Sequence, residues 1–298
     1  MIVFLLIVYS LCMSQLTHTI AFSTSKKEDE AATILLPLPP RNLMFMADKS
    51  GYMEYLNIGV SNFKMLCEFG LDLSKDDAHL LDMGSGYGRL AAGILVSSME
   101  GKLKGNYTGM DILRRHVTWC QTYYRNLYPG KMNFIHMDVY NSRYNPSGSI
   151  QPTNYRIPVS DGSYTFISLF SVFTHMHEQE IYHYLTEFTR VLRAGGKVVA
   201  TVFLYNKDRM KQTIESTYGA FEFNDHTRIK DKADPLFAIV YEEKWFVDYI
   251  VKPSGLHVEK IIYGTAIGDP DDSNYKIHGK RFPHLFQDLM VLQKSRPA

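Results

Sequence analysis

The spacing of apolar residues changes period along this chain, and the changes divide it into alternating strands and helices. Residues 79–83 read as a short buried strand and 89–96 as a helix. A strand over 107–111 precedes a helix over 112–127, which stops at Pro129-Gly130. Strands follow over 132–137 and 164–170. In 178–192, Ile181, Leu185, Phe188 and Leu192 share one helical face, and the helix ends at Ala194-Gly195-Gly196. Residues 197–203 form a β-branched strand. Beyond an insertion at 204–243, a helix over 245–251 and strands over 258–263 and 286–293 complete the series. Upstream, Tyr55, Val60, Phe63, Leu66, Cys67 and Phe69 predict a helix over 52–70 covering a sheet edge. Such alternation predicts an α/β fold, a mainly parallel sheet with helices on both faces. No internal repeat interrupts it.

The first 22 residues differ in kind. An apolar run over 1–13 is short for a membrane span but suits a signal-peptide core, although no Lys or Arg precedes it. Ala21 and Ser23 offer small residues for cleavage. The expectation is a signal-peptide-like segment over 1–22, entry to the secretory route, and no stable membrane span after processing. Ala21-Phe22 followed by Ser and Thr also resembles plastid-directing presequences of algae with complex plastids. A cytoplasmic protein with a retained N-terminal anchor is the third reading. Residues 23–37 are expected to be a flexible linker, leaving 38–298 as one domain.

Composition narrows the function. The chain has 298 residues, of which 45% are apolar, enough for a substantial core. Its net charge of +1 argues against a nucleic-acid binder working through bulk electrostatics. The most basic cluster, 228–232, contains an Asp and suits a solvated face. Cys12, Cys67 and Cys120 show no Cys-x-x-Cys and no metal-ligand spacing, so no metal is expected. Cys67 and Cys120 are expected to be buried thiols. Oligomeric state is not legible.

Candidate chemistry centres on Leu80-Leu-Asp-Met-Gly-Ser-Gly-Tyr-Gly-Arg-Leu90, with Gly84, Gly86 and Gly88 between a strand and a helix. Glycine permits a sharp turn and close ligand approach, and the helix N-terminus favours negative charge. The third glycine comes one residue earlier than in the dinucleotide pattern. Acids close the first three strands: Asp82, Asp111 and Asp138. An acid in the position of Asp111 can accept from both ribose hydroxyls, and one in the position of Asp138 from an exocyclic amine. Ligands of open α/β sheets bind at these strand ends.

This pattern resembles the class I S-adenosylmethionine-dependent methyltransferases. Ser171-Val-Phe-Thr-His-Met176 and Tyr184-Leu-Thr-Glu-Phe-Thr-Arg-Val-Leu-Arg-Ala-Gly-Gly196 resemble the fourth-strand and pre-fifth-strand segments of small-molecule members. Tyr144-Asn-Pro-Ser-Gly148 and Phe286-Gln-Asp288 resemble a bacterial-type branch, and the likeness covers about residues 38–294. It implies a Rossmann-like, doubly wound, seven-stranded sheet with a C-terminal antiparallel strand. It also implies S-adenosyl-L-methionine as cofactor. The backbone at Gly84, Ser85, Gly86 and Gly88 would approach the methionine and ribose, and Asp82 the amino group. Asp111 would take the ribose hydroxyls, with Ile112 against adenine and Asp138 and Val139 at its edge. Phe170 would sit beside the sulfonium and Arg41 near the methionine carboxylate.

On the acceptor side, Phe173, Thr174, His175 and His177 cluster after the fourth strand, with His175 the candidate general base. The insertion supplies Tyr205 and Tyr241 as candidate acceptor contacts. It is expected either to fold over the cleft as a lid or to pack on itself. The expected reaction is O- or N-methylation of a small-molecule acceptor. Two rivals stay open: a nicotinamide-dependent oxidoreductase and a non-catalytic secreted binding protein.

Overall fold

A computed structural model of the chain describes residues 5–10, 17–24, 32–40, 47–98, 103–209, 211, 218–267, 276–277, 280–281 and 285–296. Strands β1 (Leu5–Ser10), β2 (Thr17–Thr24) and β3 (Ala32–Leu38) form a small antiparallel sheet. β3 corrects the expected linker over 23–37. Its Thr33-Ile-Leu-Leu run suits a paired strand, Leu36 lies opposite Ile20, and Leu36 and Leu38 are buried in the core.

Helix α1 (Ala47–Glu68) is broken at Gly51 and regular from Tyr52 onward. It is followed by β4 (His79–Met83), α2 (Arg89–Ser97), β5 (Asn106–Asp111), α3 (Arg114–Tyr123) and β6 (Met132–His136). Then come β7 (Tyr164–Leu169), α4 (Glu178–Val191) and β8 (Leu192–Val202). α3 starts later than its apolar spacing predicts. The Asp111 carboxylate accepts from the Leu113 N–H at 2.8 Å and holds residues 111–113 in a turn.

The insertion contributes β9 (Leu204–Tyr205), β10 (Phe221–Asn224), β11 (Thr227–Ile229) and β12 (Ile239–Glu242), paired in the order β10-β11-β12-β9. Helix α5 runs through Glu243–Trp245 and continues with π geometry over Phe246–Val251. β13 (Leu256–Ile262), a hairpin of β14 (Lys276–Ile277) and β15 (Lys280–Arg281), and β16 (Asp288–Lys294) follow.

The main sheet has the order β13-β16-β8-β7-β4-β5-β6. β16 runs antiparallel to both neighbours, and the other pairs are parallel. This is the seven-stranded, mostly parallel arrangement expected. Side chains alternate between two cores. Leu80, Phe166, Val199 and Val291 face α1, α2 and α3, whereas Leu81, Ile167, Val198 and Met290 face α4 and α5. α1 does not cover an edge as expected but crosses α2 on one face. A Cβ on Gly93 would stand 2.1 Å from the Gly59 carbonyl carbon, so only paired glycines allow that approach.

The insertion forms its own sheet and also packs against the domain. Ile229, Leu236, Ile239 and Tyr241 belong to the same core as Phe173 and α4. Cys120 is buried as expected; Cys67 is exposed on α1, and both thiols are free. Among the described residues no helix is long and apolar enough to cross a membrane.

Candidate active site

The turn after β4 is built by three glycines in the left-handed region, with φ of 76°, 52° and 74° at residues 84, 86 and 88. A Cβ at Gly84 would strike Val172 at 2.4 Å, and one at Gly88 would strike Tyr124 at 2.8 Å. A Cβ at Gly86 would meet nothing within 4 Å, so the turn presents open backbone there. The Gly84 and Ser85 N–H groups donate to the Met110 carbonyl at 2.8 and 3.0 Å, which fastens the turn to β5.

Asp111 closes this unit. Its two carboxylate oxygens accept from the N–H groups of Gly86 and Leu113, each at 2.8 Å. Burial raises its pKa, and those backbone donors oppose the shift. One carboxylate thus shapes both the glycine turn and the loop after β5.

Asp82 lies elsewhere than its sequence position suggests. It is 3% exposed, inside the sheet, and accepts from the Tyr107 hydroxyl at 2.7 Å and the Ser168 hydroxyl at 3.0 Å. Burial pushes its pKa up to about 6, against those two hydrogen bonds. Asp138 is half-buried and accepts from the Ser149 hydroxyl at 2.5 Å, which lowers its pKa. Ile112 is half-buried and Val139 buried beside it in one core. Phe170 packs at the margin of the other core. Arg41 lies outside the described residues.

After β7 the chain enters a one-turn 3₁₀ helix, Phe173–His175. Ser171, just before it, has φ of 59°, the one positive value at a non-glycine among the described residues. It is held there by its N–H donating to Thr201 Oγ1 at 2.7 Å and its hydroxyl donating to Gln287 Oε1 at 3.1 Å. His175 Nδ1 lies 2.8 Å from the Leu236 carbonyl oxygen. A carbonyl can only accept, so Nδ1 carries the proton and Nε2 keeps its lone pair. Burial depresses the pKa of the ring, with Arg143 adding to the effect.

The structure buries four of the five acceptor candidates and makes the fifth, His177, a helix cap. Phe173 and Thr174 are buried, the first within the core. Tyr241 is 0% exposed and its hydroxyl donates to the Met176 carbonyl, tying β12 to the segment after β7. Tyr205 is buried with Phe203 and Val240. His177 is the N-cap residue of α4: its N–H donates to Glu180 at 2.9 Å, and its ring stacks on Phe223.

The groups surrounding His175 were not apparent from sequence. Arg143, in the loop after β6, pairs with Asp234 of the insertion and stacks on Tyr144 and Phe237. The Tyr144 ring meets His175 edge-on at 5.3 Å. Asp288 is buried and accepts from Leu204 N–H, Gly264 N–H and Arg209, pinning the start of the insertion. Local spacing gives no signal for any of these contacts. The hints were Tyr144 and Asp288, each within a segment that resembles the family.

A family profile described as methyltransferase domain matches residues 81–200, which run from β4 through most of β8. Among solved structures, an S-adenosylmethionine-dependent methyltransferase from Mesorhizobium loti superposes with a TM-score of 0.50 at 10% identity. That match covers 80% of this chain and 100% of the other. Methyltransferases from Aquifex aeolicus (TM-score 0.47, 17% identity, 86% of this chain and 98% of that one) and Methanosarcina mazei (0.48, 15%, 75% and 95%) are also similar. The Mesorhizobium likeness is one of fold, and the sequence profile falls on the segment that carries the glycine turn, Asp111 and His175. Residues 81–200 therefore form a methyltransferase domain of the class I, S-adenosylmethionine-dependent kind.

Proposed function

We propose that this enzyme methylates a small molecule at oxygen or nitrogen, with His175 as the general base. S-adenosylmethionine supplies an electrophilic methyl group on its sulfonium. The chain must hold the cofactor, align a nucleophile and accept a proton where the nucleophile carries one.

The residues fit that cofactor. Open space at Gly86 leaves the turn approachable. A carboxylate offers about four lone-pair directions, and Asp111 uses two on backbone N–H groups, which leaves two for ribose hydroxyls. Ile112, Val139 and Asp138 would frame adenine. Phe170 and the backbone over 84–88 would lie along the ribose, sulfonium and methionine. Asp82, enclosed within the sheet and bound to two interior hydroxyls, acts through its charge and by fixing β4 against β5 and β7.

The observation that carries the proposal is the His175–Leu236 contact. It fixes a neutral imidazole with its proton on Nδ1 and its lone pair on Nε2. A hydroxyl acceptor benefits from such a base, and an amine can pass its proton to it after transfer, whereas a carboxylate or thiolate has no proton to give. The insertion supports a small acceptor, because Asp234, Leu236 and Phe237 close over the loop after β6 and the turn after β7. Methyl-labelled cofactor incubated with an extract of the source organism tests this. Label is expected in the small-molecule fraction. Label confined to protein or nucleic acid would overturn the acceptor class.

A further inference from the structure

We infer that Arg89 anchors the α-carboxylate of the cofactor's methionine portion, an assignment that rests on S-adenosylmethionine occupying the glycine turn. Arg89 opens α2 directly after Gly88. Its backbone has no freedom to drift, because α1 crosses so closely that a Cβ on Gly59 would stand 2.2 Å from the Arg89 carbonyl oxygen. The side chain is half-buried. The groups whose charge reaches it are Tyr55 and Glu54 of α1 and Asp82 of β4. The guanidinium therefore belongs to the wedge between α1, α2 and the carboxyl end of β4.

None of those groups is its partner. The Tyr55 hydroxyl donates to the Tyr87 carbonyl at 2.7 Å. Both Asp82 oxygens accept from Tyr107 and Ser168. Among the described residues the Arg89 guanidinium makes no hydrogen bond or ion pair. A guanidinium carries five N–H donors and cannot shed its charge, so withdrawing it from water without a partner is unfavourable. The group that best relieves this is an anion with two oxygens side by side, which the planar fork binds through paired hydrogen bonds. S-adenosylmethionine carries one such group, the carboxylate of its amino-acid end. The neighbouring ammonium of the same amino acid would share the wedge with the Asp82 charge. Asp111 serves the other side of the turn, where its oxygens face Gly86 and Leu113.

Decarboxylated S-adenosylmethionine differs from the cofactor only by this carboxylate, so the ratio of the two affinities isolates the contact. Calorimetric titration of both ligands is made into the wild type, Arg89→Met, which keeps most of the apolar stem, and Arg89→Lys. Wild type is expected to favour the intact cofactor by about 10- to 100-fold. The ratio should fall to near one in Arg89→Met, with the affinity for the decarboxylated ligand little changed, and recover in part in Arg89→Lys. An unchanged ratio in the variants would overturn the assignment, as would equal weakening of both ligands, which indicates a role in the shape of the turn alone. If Arg89→Met does not fold, a wild type that fails to distinguish the two ligands, or an Arg89→Lys variant with the full wild-type ratio, overturns it instead. A wild type that binds neither ligand refutes the cofactor site itself.

Discussion

The glycine turn and the surroundings of His175 lie at the same end of one sheet but are assembled differently. At the turn, the Gly86 N–H meets Asp111 only 25 residues on, one helix and one strand further along. Around His175 the partners come from far away. Leu236 is 61 residues from the histidine, and Asp234 is 91 residues from Arg143. The proposed cofactor side is thus a local strand-turn-helix device, closed by the next strand. The proposed acceptor side is complete only once the insertion has docked. A family can keep the first and vary the second, which is why the sequence names a methyl donor and leaves the acceptor open.

This contrast predicts effects of different kind and size. The largest concerns chemistry without binding. His175→Gln should lower kcat by about 10²- to 10⁴-fold for a hydroxyl or amine acceptor, with little change in the cofactor KM. In the wild type, the acid limb of kcat/KM should fall below the ordinary histidine range of about 6.5, because burial depresses this pKa. An unaltered kcat in the variant would remove the base from the acceptor side.

On the cofactor side the large effect is structural. Gly93→Ala drives a methyl group into the Gly59 backbone, which cannot rotate away, and should cost about 3 kcal/mol in urea unfolding. A neutral result would mean that α1 and α2 can separate, and with them the wall beside Arg89.

A smaller effect is one of pH. Asp82 has its pKa raised to about 6 by burial. The protonated form is therefore the one the fold prefers. Its contribution to stability is full below about pH 4 and is lost as pH rises through about 6. Relative to wild type, Asp82→Asn should gain roughly 2 kcal/mol between pH 4 and pH 7, read from urea midpoints at each pH. A constant difference across that range would contradict the buried setting of Asp82.

The smallest expected change is at the seam of the two regions. Tyr241→Phe removes the hydroxyl that donates to the Met176 carbonyl and should cost about 1 kcal/mol. Its more telling readout is acceptor KM, which should rise if β12 positions the turn after β7.

Legibility followed the same division. The order of strands and helices was readable because each spans a few residues with one period. β4 was read to the residue, and α4 and β7 to within one. α3 was read too long because a side chain, Asp111, ends the preceding turn. β3 was missed because its pairing partner, β2, lies in a segment whose composition suggested export. Gly84, Gly86, Gly88 and Asp111 were found together because their interdependence is local. Tyr241, Phe173 and Thr174 were misjudged because an aromatic or hydroxyl side chain looks the same in sequence whether it lines a cleft or fills a core. Arg143, Asp234 and Leu236 gave no signal because their meaning arises only from the docking of the insertion.

Calorimetric titration of S-adenosylhomocysteine into the wild type, Asp111→Ala and His175→Gln tests most directly whether the glycine turn with Asp111 holds the cofactor independently of the acceptor side. Binding should be preserved within about threefold in His175→Gln and weakened at least about tenfold in Asp111→Ala, with both variants folded. Equal affinity in all three proteins, or a loss in His175→Gln as great as in Asp111→Ala, would contradict that division.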